Sequence, residues 1–228
     1  MNSVRTVVFD LDGTLVDTAP DLISALNFVL DREGLPPVPL ESARTMIGAG
    51  ARRLIERGLE QDRRSDSPKD ITRLTDDFIE YYAAHIADAS RPFDGLESAL
   101  DDLQANGYRF AVCTNKLEWL SKLLLDRLGL SARFAAICGA DTFGISKPDP
   151  AILQQTVARA GGQLSTTIMV GDAGPDIGVA RRAGIPVIGV EFGYTDVPIA
   201  DLKPDRLIGH MNELPAAVES LILHRSAS

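Results

Sequence analysis

The chain has 228 residues, 45% of them hydrophobic and 24% charged, which excludes a disordered or fibrous protein and supplies enough apolar material for a core. A length above the usual domain size of about 100–150 residues implies one enlarged domain, or a domain with a smaller companion, and excludes three. The 23 Lys and Arg are outnumbered by 32 Asp and Glu, for a net charge of −9, and no dense basic tract is present, so a nucleic-acid partner is not expected.

The first β-rich run covers 6–11 and ends on Asp10, Asp12, Gly13 and Thr14. From about 16 to 91 the pattern changes to helical periodicity without a strand: Leu22, Ile23, Leu26, Val29 and Leu30, then Leu54, Ile55 and Leu59, then Leu74, Phe78, Ile79 and Tyr82. Gly- and Pro-rich 31–39 and charge-rich 61–69 break this stretch, which predicts about four helices packed as a small bundle. Strand-like runs resume at 109–113, 133–138, 167–170 and 186–190. Between them lie apolar helix faces, one of Leu96, Leu100 and Leu103 ending at Asn106-Gly107, another of Leu117, Leu120, Leu124 and Leu128 ending at Gly129. Strands spaced too widely for hairpins and separated by helices imply right-handed βαβ crossovers. The fold class is therefore α/β: a Rossmann-like, mostly parallel sheet core from 1–15 and 92–228, interrupted by an all-helical insert at 16–91.

Cys113 and Cys138, the two cysteines, lie in apolar segments and support neither a disulfide framework nor a zinc site. Residues 1–8 lack the features of a secretory signal, and no apolar run reaches the ~18 residues of a membrane span. The expectation is a cytoplasmic protein with no membrane partner.

In an open parallel sheet, ligands bind beyond the carboxyl ends of the strands. The residues at those positions are Asp10 and Asp12, Thr114 and Asn115, Lys147-Pro148, and Asp172 with Asp176. Asp10 and Asp12, two apart, point to one side if the strand continues, and Gly13 then permits a sharp turn. Converging carboxylates repel unless a cation neutralises them, and Asp172 adds a third. A hard divalent ion with oxygen ligands answers that need, Mg²⁺ above all. Lys147 contributes a positive charge, held extended by Pro148, while Thr114 and Asn115 offer a hydroxyl and donors at a helix entrance. Each feature taken singly is also what a turn, a helix cap or a surface charge would produce. Their conjunction at the strand ends of one sheet describes a phosphoryl site, which independent turns and caps would not require.

Phe9-Asp10-Leu11-Asp12-Gly13-Thr14-Leu15, Thr114-Asn115, Lys147-Pro148 and Gly171-Asp172 through Asp176 resemble, in order, the four motifs of the haloacid dehalogenase superfamily. The second aspartate of the first motif is typical of its phosphatases and mutases. The resemblance implies Asp10 as nucleophile and Mg²⁺ ligand. It implies Asp12 as general acid and base with its backbone carbonyl on the metal, Asp172 as a further ligand, and Asp176 as support for the metal or its waters. Thr114 and Asn115 would hold phosphoryl oxygens and Lys147 would bridge nucleophile and phosphate. Ala173 departs from the pattern, which usually has Ser there.

The helical insert sits where this superfamily places a cap. Within it, Met46-Ile47-Gly48-Ala49-Gly50, and beyond it Phe93-Asp94-Gly95, Cys113-Thr114-Asn115-Lys116 and Phe192-Gly193-Tyr194, are most similar to the phosphoglycolate phosphatase branch. The expected reaction is hydrolysis of a small phosphate monoester, 2-phosphoglycolate foremost, through an aspartyl-phosphate. Gly48 and Gly50 precede a helix whose N-terminal amides, with Arg52 or Arg53, are candidates for the substrate carboxylate. Hinges are expected near Val16-Asp17 and Arg91-Pro92. The alternatives are a phosphatase of pyrophosphate, sugar phosphates or nucleotides, and a β-phosphoglucomutase-like phosphomutase. A phosphoaccepting signalling domain, the reading from a different class, is about half this length and has no helical insert. Monomer and homodimer remain equally open.

Overall fold

The structure, a computed structural model, describes residues 4–60 and 70–226; the charge-rich break expected at 61–69 lies outside the described residues. Strands β1 (Arg5–Phe9), β4 (Tyr108–Cys113), β5 (Phe134–Cys138), β6 (Thr167–Gly171), β7 (Val187–Val190) and β8 (Arg206–Ile208) form one sheet in the order β5-β4-β1-β6-β7-β8. Every pairing in it is parallel. Five of these strands fall on the predicted runs. The sixth, β8, went unread because three residues at a sheet edge, preceded by Lys203, Pro204 and Asp205, carry no usable alternation.

The central strands are buried on both faces, so they read as continuous apolar runs rather than as alternating ones. Val7 and Phe9 point to one face, packing with Leu96, Leu100 and Leu103 of α5 (Leu96–Ala105) and Leu214 and Val218 of α9 (Leu214–Ser226). Val8 points to the other face, with Ile152 and Leu153 of α7 (Pro150–Arg159) and Ile177 and Ala180 of α8 (Gly174–Ala183). Each buried Val, Leu, Ile or Phe contributes about 1.5–3 kcal/mol, so the two-sided cover is the main stabilisation of this sheet.

The chain leaves the sheet after β1 through β2 (Val16–Asp17) and returns through β3 (Arg91–Pro92), and the two pair antiparallel. Between them lie α1 (Ala19–Arg32), α3 (Ala51–Glu60) and α4 (Ile71–Ala84), which fall on the three periodic stretches, and the short α2 (Leu40–Ala43), which does not. Pro20 and Asp21 occupy the first turn of α1, where a missing N–H costs nothing and a negative charge favours the helix dipole. The Asp70 side chain caps α4 by accepting from the amides of Thr72 and Arg73. Phe28 of α1 and Tyr81 of α4 stack with centroids 4.1 Å apart, locking the two long helices together. Buried Asp21 also accepts from the Ala89 and Ser90 amides and the Ser90 hydroxyl, which ties the start of α1 to the segment returning to the sheet. Among the described residues no helix is long and apolar enough to cross a membrane.

Candidate active site

Because β1 lies between β4 and β6, the residues that follow these three strands share one stretch of the sheet's carboxyl edge. Asp10 comes directly after β1, buried, with its amide still donating to Val170 O at 2.9 Å. The chain then folds back: the amides of Leu15 and Val16 both donate to Leu11 O, and that of Gly13 donates to Val16 O. Gly13 has φ +81°, and a Cβ there would sit 2.5 Å from Asp172 Oδ2, so the turn needs glycine for both its conformation and its room. At Gly193 a Cβ would lie 2.1 Å from that of Asp172. With none present, the neighbouring amide of Tyr194 donates to Asp172 Oδ2 at 2.6 Å, and Thr14 Oγ1 donates to Oδ1 at 3.0 Å.

Asp10, Asp172 and Asp176 each present a carboxylate oxygen within 4.8 Å of the others, all three residues buried. The ammonium among them is Lys147, 2.8 Å from Asp10 Oδ1 and 2.6 Å from Asp176 Oδ1, on a side chain only 1% exposed. Its peptide bond to Pro148 is cis. Asn115 holds this segment from the β4 side: its Oδ1 accepts from Lys147 N at 2.8 Å, and its Nδ2 donates at 3.3 Å to Lys147 O and to Gly48 O of the insert. Thr114, also buried, accepts the Lys116 amide on its hydroxyl.

One ammonium does not balance three buried carboxylates. Burial pushes the Asp10 carboxyl up to about 6, with Lys147 pulling it down and Asp176 and Asp12 pushing the same way as burial. Burial, Asp176 and Asp10 hold Asp172 well above the usual carboxylate range against the Tyr194 amide and Thr14 hydroxyl. Burial opposes the charge on Lys147, yet Asp10 and Asp176 outweigh it and its pKa is raised. Asp10 Oδ1 accepts no well-aligned hydrogen bond. A cluster of oxygen donors with uncompensated negative charge fits a hard divalent cation and not a soft one. Asp176 has both oxygens engaged, Oδ1 by Lys147 and Oδ2 by the Ala173 amide at 3.1 Å. It fixes Lys147 and the start of α8, just as Asp172 is itself held at both oxygens by Thr14 and Tyr194, and the three carboxylates remain close enough to share one ion. The Ala173 contact is half of a capping box; the other half would need a hydroxyl where Ala173 has a methyl group.

Asp12 has different company. Lys116 Nζ lies 2.8 Å from its Oδ1 and 3.0 Å from its Oδ2, and Thr18 Oγ1 donates to Oδ1 at 2.8 Å. Burial opposes the Lys116 charge, but Asp12 and Tyr82 more than offset it and the pKa is raised.

A cavity of about 270 Å³ separates this edge from the insert. Asp10, Asp12, Thr114, Asn115 and Lys116 line one side; Gly48, Gly50, Arg52, Leu54, Phe78 and Tyr82 line the other. The structure thus brings together Asp10, Asp12, Thr114, Asn115, Lys147, Asp172 and Asp176, and sets Gly48, Gly50 and Arg52 across the gap. Arg53 is not part of the lining. Both arginines are exposed and paired with Glu56 one turn along α3. Sequence reasoning singled out no role for Lys116, Thr14, Thr18 or Tyr194. Thr14, Lys116 and Tyr194 do belong to the motifs quoted from the sequence, whereas the Thr18 hydroxyl gave no signal before the fold brought it to Asp12.

The sequence profile of the haloacid dehalogenase-like hydrolases matches residues 7–190. Phosphoglycolate phosphatase of Caulobacter vibrioides is 45% identical over 217 residues, covering 95% of this chain and 92% of its own. Phosphoglycolate phosphatase of Agrobacterium fabrum is 45% identical over 223 residues, with 97% and 95% covered. The crystal structure of a predicted phosphoglycolate phosphatase from Haemophilus somnus superposes with a TM-score of 0.86 at 29% identity, over 95% of this chain and 99% of that one.

Proposed function

The chain belongs to the haloacid dehalogenase-like hydrolases and is a hydrolase of the phosphatase type, and from that premise we propose that it is a Mg²⁺-dependent phosphatase converting 2-phosphoglycolate to glycolate and phosphate. The observation that carries this reading is the cluster at the carboxyl edge: buried Asp10 lines the cavity, with Asp172, Asp176 and Lys147 close beside it. Asp10 and Asp172, with the Asp12 carbonyl, would hold the cation. Bound there, Mg²⁺ neutralises charge on Asp10 and on the phosphoryl oxygens.

An Asp10 carboxylate oxygen attacks phosphorus, the bond from phosphorus to the ester oxygen breaks, and an aspartyl-phosphate remains. Lys147, the Thr114 hydroxyl and Asn115 stabilise the charge on the nonbridging oxygens, Lys147 being kept in place by Asp176. Asp12 delivers a proton to the leaving alkoxide, then removes one from the water that attacks the aspartyl-phosphate and releases phosphate. In this reading 16–91 is a cap that closes over the site, turning at the paired Val16-Asp17 and Arg91-Pro92. Asp17 lies close to that turn, hydrogen-bonded to the Tyr194 hydroxyl and paired with Arg44 at 3.2 Å. The cavity, small and walled on the cap side mainly by Leu22, Ile47, Leu54 and Phe78, suits a compact substrate and leaves little space for a nucleoside.

The test is Mg²⁺-dependent phosphate release from a panel of small phosphorylated acids, sugar phosphates, nucleotides and pyrophosphate. Phosphoglycolate is expected to lead the panel, and Asp10→Asn to abolish turnover of every compound in it. Activity retained by Asp10→Asn would overturn covalent catalysis, and a better nucleotide or sugar phosphate would overturn the substrate.

A further inference from the structure

The substrate proposed above carries a second anion, and Arg52 and Arg53 are poorly suited to receive it, because both are exposed and already paired with Glu56. The cavity wall contains a different cation. Lys116 has a side chain 5% exposed, and its ammonium lies against both oxygens of Asp12, which leaves N–H capacity for a further acceptor. Its Nζ also sits 4.6 Å from the centroid of the Tyr82 ring, on cap helix α4. Tyr82 is 1% exposed, and its hydroxyl makes no well-aligned hydrogen bond, although it lies near enough to the Lys116 ammonium to interact with it. A buried phenol with no better-aligned partner is costly, and this one belongs to a residue that lines the same cavity as Lys116.

We propose that Lys116 of the core and Tyr82 of the cap together form the subsite for the substrate's carboxylate. This rests on reading the site as a phosphatase of a small carboxylated ester. The geometry supports it through Asp12. To protonate the ester oxygen, Asp12 must come within roughly 2.6–3.2 Å of it. In phosphoglycolate a single CH₂ joins that oxygen to the carboxylate, so the carboxylate oxygens lie only about 3 Å further on, by ordinary bond lengths. Lys116 Nζ, 2.8 Å from Asp12 Oδ1, is therefore within reach of the carboxylate whenever Asp12 is within reach of the ester oxygen. The ammonium and the phenol come from different parts of the chain, so the carboxylate completes a contact between core and cap that a neutral ester cannot make. Apart from Thr75, Arg52 and the segment 48–51, the remaining cap side of the cavity is apolar.

The measurement is the ratio of kcat/KM for 2-phosphoglycolate to that for ethyl phosphate, of similar length but without the carboxylate. It is taken for wild type, Lys116→Met, Lys116→Arg and Tyr82→Phe in saturating Mg²⁺. Loss of a hydrogen bond to a charged group predicts a fall in the ratio of roughly ten- to a hundredfold in Lys116→Met, with Tyr82→Phe falling in the same direction and Lys116→Arg recovering part of the preference. If Lys116 merely positioned Asp12, both substrates would suffer alike and the ratio would stay at its wild-type value, which overturns the proposal. Should Lys116→Met fail to fold, Tyr82→Phe decides by the same criterion. A wild type without any preference for phosphoglycolate overturns the subsite together with the substrate reading. A preference that survives all three substitutions overturns the subsite alone.

Discussion

Replacing Lys147 with Met removes the ammonium that lies 2.8 Å from Asp10 and 2.6 Å from Asp176 and keeps a side chain of similar length. Both carboxylates remain buried and lose their common counter-charge, since the other oxygen of Asp176 is committed to the Ala173 amide. Breaking a buried pair by deleting one partner costs about 3–5 kcal/mol, most of it the penalty of the stranded charge. At about 2–4 °C per kcal/mol for a chain of this size, the melting temperature without divalent cation at pH 7 is expected to drop by roughly 6–20 °C. Losing a charged donor to the phosphoryl oxygens also predicts a fall in kcat of about 10²–10³-fold. The assay is a thermal melt of wild type, Lys147→Met, Asp176→Asn and the double variant, beside phosphate release. In the double variant much of the stability loss should be recovered, because one stranded carboxylate has gone. A Lys147→Met protein melting within about 2 °C of wild type would refute the claim that this lysine balances buried charge.

The raised Asp10 pKa makes stability depend on pH and metal together. The folded chain holds the Asp10 proton up to about pH 6 while an ordinary aspartate releases it near 3.8, so this contribution is present in full below about 3.8 and lost as pH rises to 6. The loss amounts to about 3 kcal/mol for Asp10, and Asp172 is shifted in the same direction. The stabilisation conferred by Mg²⁺ should therefore be larger at pH 7 than at pH 4.5 in thermal melts, and an equal gain at both would contradict the assignment. Gly13→Ala puts a Cβ at φ +81° and 2.5 Å from Asp172 Oδ2. Backbone strain alone predicts about 1–2 kcal/mol of destabilisation. Displacement of Asp172 should in addition raise the Mg²⁺ concentration for half-maximal activity, and an unchanged Mg²⁺ requirement would show that Asp172 is not held by this turn.

Asp10, Asp12, Thr114, Asn115, Lys147, Asp172 and Asp176 could be singled out from sequence because each stands at a strand end or in its following loop, and strands are legible as local apolar runs. The three longer helices of 16–91 were legible for a similar reason: their apolar periodicity is a local property. Strand β8 was not, since three partly exposed edge residues take their conformation from pairing with β7. Local sequence likewise told nothing of how the polar groups divide among themselves. Asp10 and Asp12 are two residues apart, yet one faces Lys147 and the carboxylate cluster while the other faces Lys116 and Thr18. Asp176, expected as support for the metal or its waters, stands in the carboxylate cluster and is also bound to Lys147 and the Ala173 amide. Arg52 and Arg53 looked equivalent in the sequence, but the turn of α3 sets one beside the cavity and leaves the other off its wall. The sequence by itself determined which residue types reach the sheet's carboxyl edge, because strand and helix propensity act over a few neighbouring residues. Only the tertiary structure decided which charge neutralises which, because Coulombic and hydrogen-bonding partners are chosen by distances of about 3 Å between groups up to 177 positions apart in the chain.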